Sequence, residues 1–200
     1  MITASSRLGL VQEYRHRNIQ GACVDLVPFS MKYAADFVRI RNSERSRYFF
    51  NQQYKLTVES QQVWYEKYLH RPDDIFWAVL NKQQRFIGTI RLYDIDPEGQ
   101  ILEQGSFMID EEVAGTAPYA AEANMLSMDF AFDVLEIGEI INRNRHDNKV
   151  MNNLSRKFGF RFVRDTEING IPYKYYLCNR EGYMSVRESI YSLITYWSER

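Results

Sequence analysis

The stretch Asn148 to Phe160, N-K-V-M-N-N-L-S-R-K-F-G-F, constrains the fold more than any other part of this chain. It follows a short β-prone run, Ile137 to Ile141, and opens with an asparagine suited to capping a helix. Val150, Leu154 and Phe158 recur at i, i+4 and i+8, which predicts one apolar helical face. Gly159 suits a left-handed C-cap, and Phe160 starts a new strand. A strand, a capped helix and an immediate strand predict α/β packing, with Asn148 at the edge of a sheet.

The flanking segments extend that pattern. Residues 1–20 are polar and Arg-rich, and read as a loose arm or an added helix. Cys23 to Pro28 alternates as a first strand, and Met31 to Ile40 has helical apolar spacing. Ser46 to Leu56 has no clear period and is expected to be a loop. Thr57 is the expected N-cap of a helix that ends before Arg71-Pro72. Phe76–Leu80, Phe86–Tyr93 and Ile101–Ile109 read as an antiparallel meander, followed by a loop from Asp110 to Pro118 and a helix from Tyr119 to Leu135. Asn169-Gly170 marks a hairpin between Phe160–Thr166 and Tyr173–Leu177, and Val186, Ile190, Ile194 and Trp197 predict a last helix. The expected order is β-α-α-β-β-β-α-β-α-β-β, a mixed, mostly antiparallel sheet flanked by helices.

Composition excludes several classes. Twenty-five basic and 26 acidic residues give a net charge of −1, which supplies no general field for nucleic acid or an anionic membrane. Two cysteines are too few for a disulfide framework, and His16, His70 and His146 stand in dissimilar contexts without a metal pattern. The first residues, MITASSRLGLVQEYR, lack a continuous apolar stretch, so a reduced, cytoplasmic setting is expected.

Three segments together resemble the GNAT N-acetyltransferase superfamily, over residues 22–180. Asn148, Lys157, Gly159 and Phe160 fall in register with its carboxyl-proximal motif, with Met151 at a position where a small residue is usual. Glu103, Gly105, Ile109 and Asp110, then Tyr119, Ala120, Glu122 and Ala123, match its fourth-strand and phosphate-loop pattern. The resemblance implies an α/β (α+β) acyl-CoA N-acyltransferase fold, with residues 1–21 as an N-terminal arm or helix and 181–200 as a C-terminal helical extension. It implies acetyl-CoA as co-substrate without a metal, a primary amine as acceptor, and the homodimer that is common in such folds.

The same resemblance assigns roles. Phe107, Met108 and Ile109 would meet the acyl-CoA arm, and Gly115, Thr116, Ala117, Tyr119 and Ala120 would hold its pyrophosphate. Pro118 stands where a glycine is expected and removes one backbone donor. Glu103 would take the proton from the acceptor ammonium, or would simply be a solvent-facing strand residue. Asn148 would bond pantetheine, cap its helix, or do both. The usual tyrosine acid is replaced by Ser155, so the proton for the CoA thiolate would come from Ser155, a water or a nearby tyrosine. Arg143, Arg145, Lys149, Arg156 and Lys157 form a basic cluster, either reaching the CoA 3′-phosphate or lying on a solvated face.

The acceptor side would come from Arg41, Asn42, Arg45, Tyr48 and Trp64. This R-N-S, Y-F, then T-x-E-x-Q-x-W run is similar to acetyltransferases acting on nucleotide-linked amino sugars, such as the pseudaminic acid pathway enzyme. A solvated loop with tucked aromatics is the plain alternative. Ribosomal-protein-type N-terminal acetyltransferases share the strand-four and last-helix motifs. A degenerate scaffold that binds a ligand or partner fits the altered phosphate loop.

Overall fold

In the computed structural model, which describes residues 2–199, one eight-stranded sheet carries helices on both faces. Its strands are β1 (Ile19–Gln20), β2 (Val24–Pro28), β3 (Ile75–Asn81), β4 (Phe86–Tyr93), β5 (Ile101–Ile109), β6 (Glu139–Arg145), β7 (Arg161–Ile168) and β8 (Ile171–Asn179). They lie in the order β1-β2-β3-β4-β5-β6-β8-β7. Every neighbour pair is antiparallel except β5–β6, which is parallel. The helices are α1 (Ala4–Tyr14), α2 (Ala34–Arg41), α3 (Glu44–Phe49), α4 (Val58–Leu69), α5 (Tyr119–Asp129), α6 (Lys149–Lys157) and α7 (Arg180–Ser198).

Strand β3 explains the layering. Ile75, Trp77 and Val79 point into one core with Val11 of α1, Ala123 and Met128 of α5 and Ile190 and Ile194 of α7. Phe76, Ala78 and Leu80 point into the other, with Phe37 and Ile40 of α2 and Tyr68 of α4. A strand buried on both faces loses polar alternation and reads as a continuous apolar run, as Ile75–Leu80 does.

The N-terminal segment is a docked helix. Thr3 caps it through the Ser6 N–H, and Val11 is fully buried. Just after it, Arg15 is buried, with its guanidinium over the Tyr68 ring and donating to the Tyr68 and Asp74 carbonyls. The expected loop after Ser46 overlaps α3, a six-residue helix capped by Ser43 and too short for a periodic signal. The helix expected to reach Leu135 runs to Asp129 and then widens into a single π turn at Phe130–Val134.

The apolar face predicted for α6 holds in part. Phe158 at the C-cap is buried and Leu154 is half-buried against the core, but Val150 is 59% exposed, and Asn152 and Ser155 also face the sheet. The cause is β6, which presents buried Asn142 and Asn144 to the helix. Asn144 Nδ2 donates to Ser155 Oγ (2.8 Å), and Asn152 Nδ2 donates to the carbonyls of Arg145 (3.0 Å) and His146 (3.1 Å). Buried polar groups need partners, and this strand selects the polar side of the helix. Gly159 closes α6 at φ +81°, with Gly182 O only 2.2 Å from where a Cβ would sit.

Candidate active site

Strands β5 and β6 pair over three residues only, Ile101–Glu103 against Glu139–Ile141. Past Glu103 they diverge, so Gln104–Ile109 bonds β4 on one side and has an open edge on the other. Asn142 wedges the fork: with its amide oriented to satisfy its neighbours, it donates to Ile141 O (3.1 Å) and Gln104 O (2.9 Å). A bulge tilts the open edge further. The β4–β5 register shifts between Thr89 and Arg91, Ser106 adopts φ +47°, and Thr89 Oγ1 donates to Ser106 O (2.7 Å).

The fork opens a cleft of about 850 Å³, lined by β5 from Glu103 to Ile109, by β6, and by α3 and α6. It reaches Ala114 and Ala120 at the start of α5. Pro118 is the N-cap there, and the first intrahelical bond runs from Glu122 N to Pro118 O. The N–H groups of Tyr119, Ala120 and Ala121 therefore have no partner within the helix, the arrangement that attracts a phosphate. Glu122 turns the other way, where its buried carboxylate accepts the N–H groups of Ala22, Cys23 and Val24.

Glu103 sits at the apex of the fork, buried and lining the cleft. Arg143 holds both of its oxygens, with Nε 3.0 Å from Oε1, and the Tyr93 hydroxyl donates to the same Oε1. That pairing raises the Arg143 pKa, chiefly through the hydrogen bond to Glu103. Burial first, then the Glu103 charge, push the Tyr93 phenol well above its usual range. Gly105 makes room for this contact, since a Cβ there would come within 2.9 Å of the Tyr93 ring.

The cleft gathers Glu103, Phe107, Met108, Ile109, Ala120, Asn148 and Arg45 from among the candidate residues. Asn148 also caps α6 by accepting the Met151 N–H (3.2 Å). Gly115, Thr116, Ala117 and Tyr119 border the α5 entrance without lining the cleft, and Gly115 takes φ +84° with open space around it. Ser155 is buried beneath α6 and is not part of the lining. Its oxygen accepts from Asn144 Nδ2 (2.8 Å).

The acceptor candidates separate. Arg41 lies flat over Phe50 (3.4 Å to the ring centre), and burial pulls its pKa down to about 10. Asn42 clamps the following loop through Leu56 N, Leu56 O and Gln52 Nε2. Trp64 stacks on Tyr68 and packs against Phe76 in the second core. None of the three lines the cleft. Tyr48 reaches across the rim to Asp147, with the Arg145 guanidinium 4.1 Å from its ring centre.

Tyr93 is not among the candidates the sequence offers, and Arg143, offered only as part of a basic cluster, pairs with Glu103. Along β6 the side chains alternate, Asn142 and Asn144 toward α6, Arg143 and Arg145 toward α3. Of the basic cluster, Arg143, Arg145 and Lys157 line the cleft, while Lys149 and Arg156 do not. The N-R-N-R alternation was the available signal, since period two sends its members to opposite faces. Among the described residues no helix is long and apolar enough to cross a membrane, and no cluster of His, Cys, Asp and Glu could hold a metal ion.

A sheet forked beside a strand-borne carboxylate, with a free helix N-terminus at the fork's far end, is the arrangement the N-acetyltransferase resemblance leads one to expect. The family model for the acetyltransferase (GNAT) domain matches residues 24–161, and the chain belongs to that family. Among solved structures, the chain is similar to a GCN5-related N-acetyltransferase from Brucella melitensis, with 21% identity, TM-score 0.75, and 88% of this chain and 85% of that one covered. It is also similar to FdhC, a nucleotide-linked sugar GNAT in its apo form (18%, TM-score 0.75, 89% and 98% covered). A spermidine N-acetyltransferase from Vibrio cholerae, solved with CoA and spermine, aligns at 17% identity and TM-score 0.73 (82% and 99% covered). No match was found among curated proteins.

Proposed function

We propose that this protein transfers the acetyl group of acetyl-CoA to a primary amine, with an amino sugar on a nucleotide carrier as preferred acceptor. The observation that carries the reading is the unpaired Gln104–Ile109 edge, with Glu103 at one end and the α5 N-terminus at the other. Such an edge offers N–H and C=O groups to an extended amide chain, and the helix end offers donors to a pyrophosphate. Acetyl-CoA supplies the activated thioester, and Asn148 and the backbone of 107–109 orient it.

Glu103 accepts the proton of the acceptor ammonium, which must be lost before the nitrogen can attack. Tyr93 donates its hydroxyl to that carboxylate and holds it in place, and the thiolate takes its proton from the acceptor nitrogen rather than from Ser155. The sign of the acceptor side favours an anionic acceptor. Arg45, Arg143, Arg145 and Lys157 line the cleft against Glu103 and Glu111. A polyamine or a peptide amine would seek acidic groups, and this surplus of cations disfavours both.

Acetyl-CoA at millimolar concentration is expected to raise the melting temperature; no shift would reject the reading at its first step. Glu103→Gln is expected to lower kcat about 100-fold or more, with a changed pH–rate profile. An unchanged profile would remove Glu103 from proton transfer.

A further inference from the structure

We propose that Arg143 and Arg45 form an oxyanion-binding subsite for the acceptor, and that Arg143 leaves Glu103 to occupy it. This rests on the acetyl-transfer reading and specifies its acceptor as a primary amine that carries a phosphate or carboxylate near the amine.

Three observations converge. Arg143 makes a two-pronged contact with Glu103, so the carboxylate that should receive an ammonium is already filled by a cation. Arg143 is nonetheless 38% exposed at its side chain and lines the cleft, so its fork already borders the space an acceptor would enter. Arg45 projects from α3 into the same cleft, and among the described residues it has only the Phe49 ring as a charged-group contact, at 5.9 Å. Arg145, by contrast, is held by Asp147, at 3.0 and 3.1 Å. One cation without an acid and one parked on the base put two guanidinium groups, the groups best suited to binding an oxyanion, on the lining of one cleft.

The exchange keeps charge balanced. The acceptor's ammonium replaces the guanidinium at Glu103, and its oxyanion replaces Glu103 at Arg143. Tyr93 holds the carboxylate in place throughout. Glu103 then takes one ammonium proton, the C–N bond forms as the thioester C–S bond breaks, and the second nitrogen proton goes to the thiolate. An ammonium that carries no oxyanion offers Arg143 no new partner, and it meets an occupied base.

Glucosamine 6-phosphate, which carries both the ammonium and the oxyanion, titrated calorimetrically into the wild-type protein is the direct probe. Binding is expected, weakened about tenfold by Arg143→Gln and comparably by Arg45→Gln, since each loses a charge-assisted bond. Arg45→Gln removes no structural bond, so it remains informative should Arg143→Gln leave Glu103 buried and unpaired and fail to fold. Absent binding overturns the proposal. Undiminished binding in Arg45→Gln and in any folded Arg143→Gln places the anion elsewhere, as at the α5 N-terminus, and also overturns it. With acetyl-CoA, glucosamine 6-phosphate is expected to exceed glucosamine about tenfold in kcat/KM, a preference lost in Arg143→Gln and partly restored by Arg143→Lys. An intact preference in Arg143→Gln rejects the exchange. The acetyl-CoA thermal shift should be the same in both variants as in wild type, which separates failure of this subsite from failure of acetyl transfer.

Discussion

Single side chains divide sharply in what they disclosed. Glu103 was legible because strand and motif register agree on it, and the structure sets it at the fork. Arg143 was visible only as charge, because the sequence carries no register between β5 and β6. Tyr48 was placed on the acceptor wall and is instead a latch from α3 to the β6–α6 turn. Arg145, then Tyr48, hold the Asp147 carboxyl down at about 2. An unfolded carboxyl titrates near ~3.9, so the folded value is depressed and the latch is fully present above about pH 4. It is lost as pH falls through about 2. The pair is half exposed, so its share of global stability is small and screened. The expected signature is local: the Tyr48 ring resonances shift with a midpoint near 2 in the wild type. A midpoint near 4 would mean that Asp147 is not held.

Whole elements were read well wherever the determinant was local. Thr57 caps α4 with a full capping box, Asn148 caps α6, and Asn169-Gly170 turns the β7–β8 hairpin. Where a neighbour decides, the reading failed. The exposed side of α6 follows from Asn142 and Asn144 on β6, and α3 is too short to declare itself by periodicity. The start of α5 at Tyr119, directly after Pro118, was legible in the sequence, and the cost of that proline to phosphate binding is testable. Pro118→Gly restores one N–H at the N-cap. One added donor contributes about 1 kcal/mol, which predicts roughly fivefold tighter CoA by calorimetry. Unchanged affinity would mean that position 118 does not face the pyrophosphate.

At the scale of the molecule, the antiparallel meander was legible because each of its strands is bounded by turn formers, and the apolar run of β3 announces burial on both faces. The docking of α1 was not, because Arg7 and Arg15 read as solvent-seeking charges. Both are buried, donating to the carbonyls of Leu135 and Asp74, respectively. A guanidinium that satisfies several carbonyls acts as a bolt between distant segments, a role that composition cannot announce.

The three-residue parallel seam has a mechanical consequence. Strands β1–β5 and strands β6–β8 are two plates joined along one short margin, like a book held open by the last stitches of its spine. An extended amide chain laid into the gap is a ninth strand borrowed from solution, and it should stiffen the far ends of both plates together. Hydrogen exchange is therefore expected to slow on acetyl-CoA binding in Phe107–Ile109 and in Asn142–Arg145 alike. Protection confined to the α5 N-terminus would mean that the cosubstrate grips by its phosphates alone and leaves the spine unsewn.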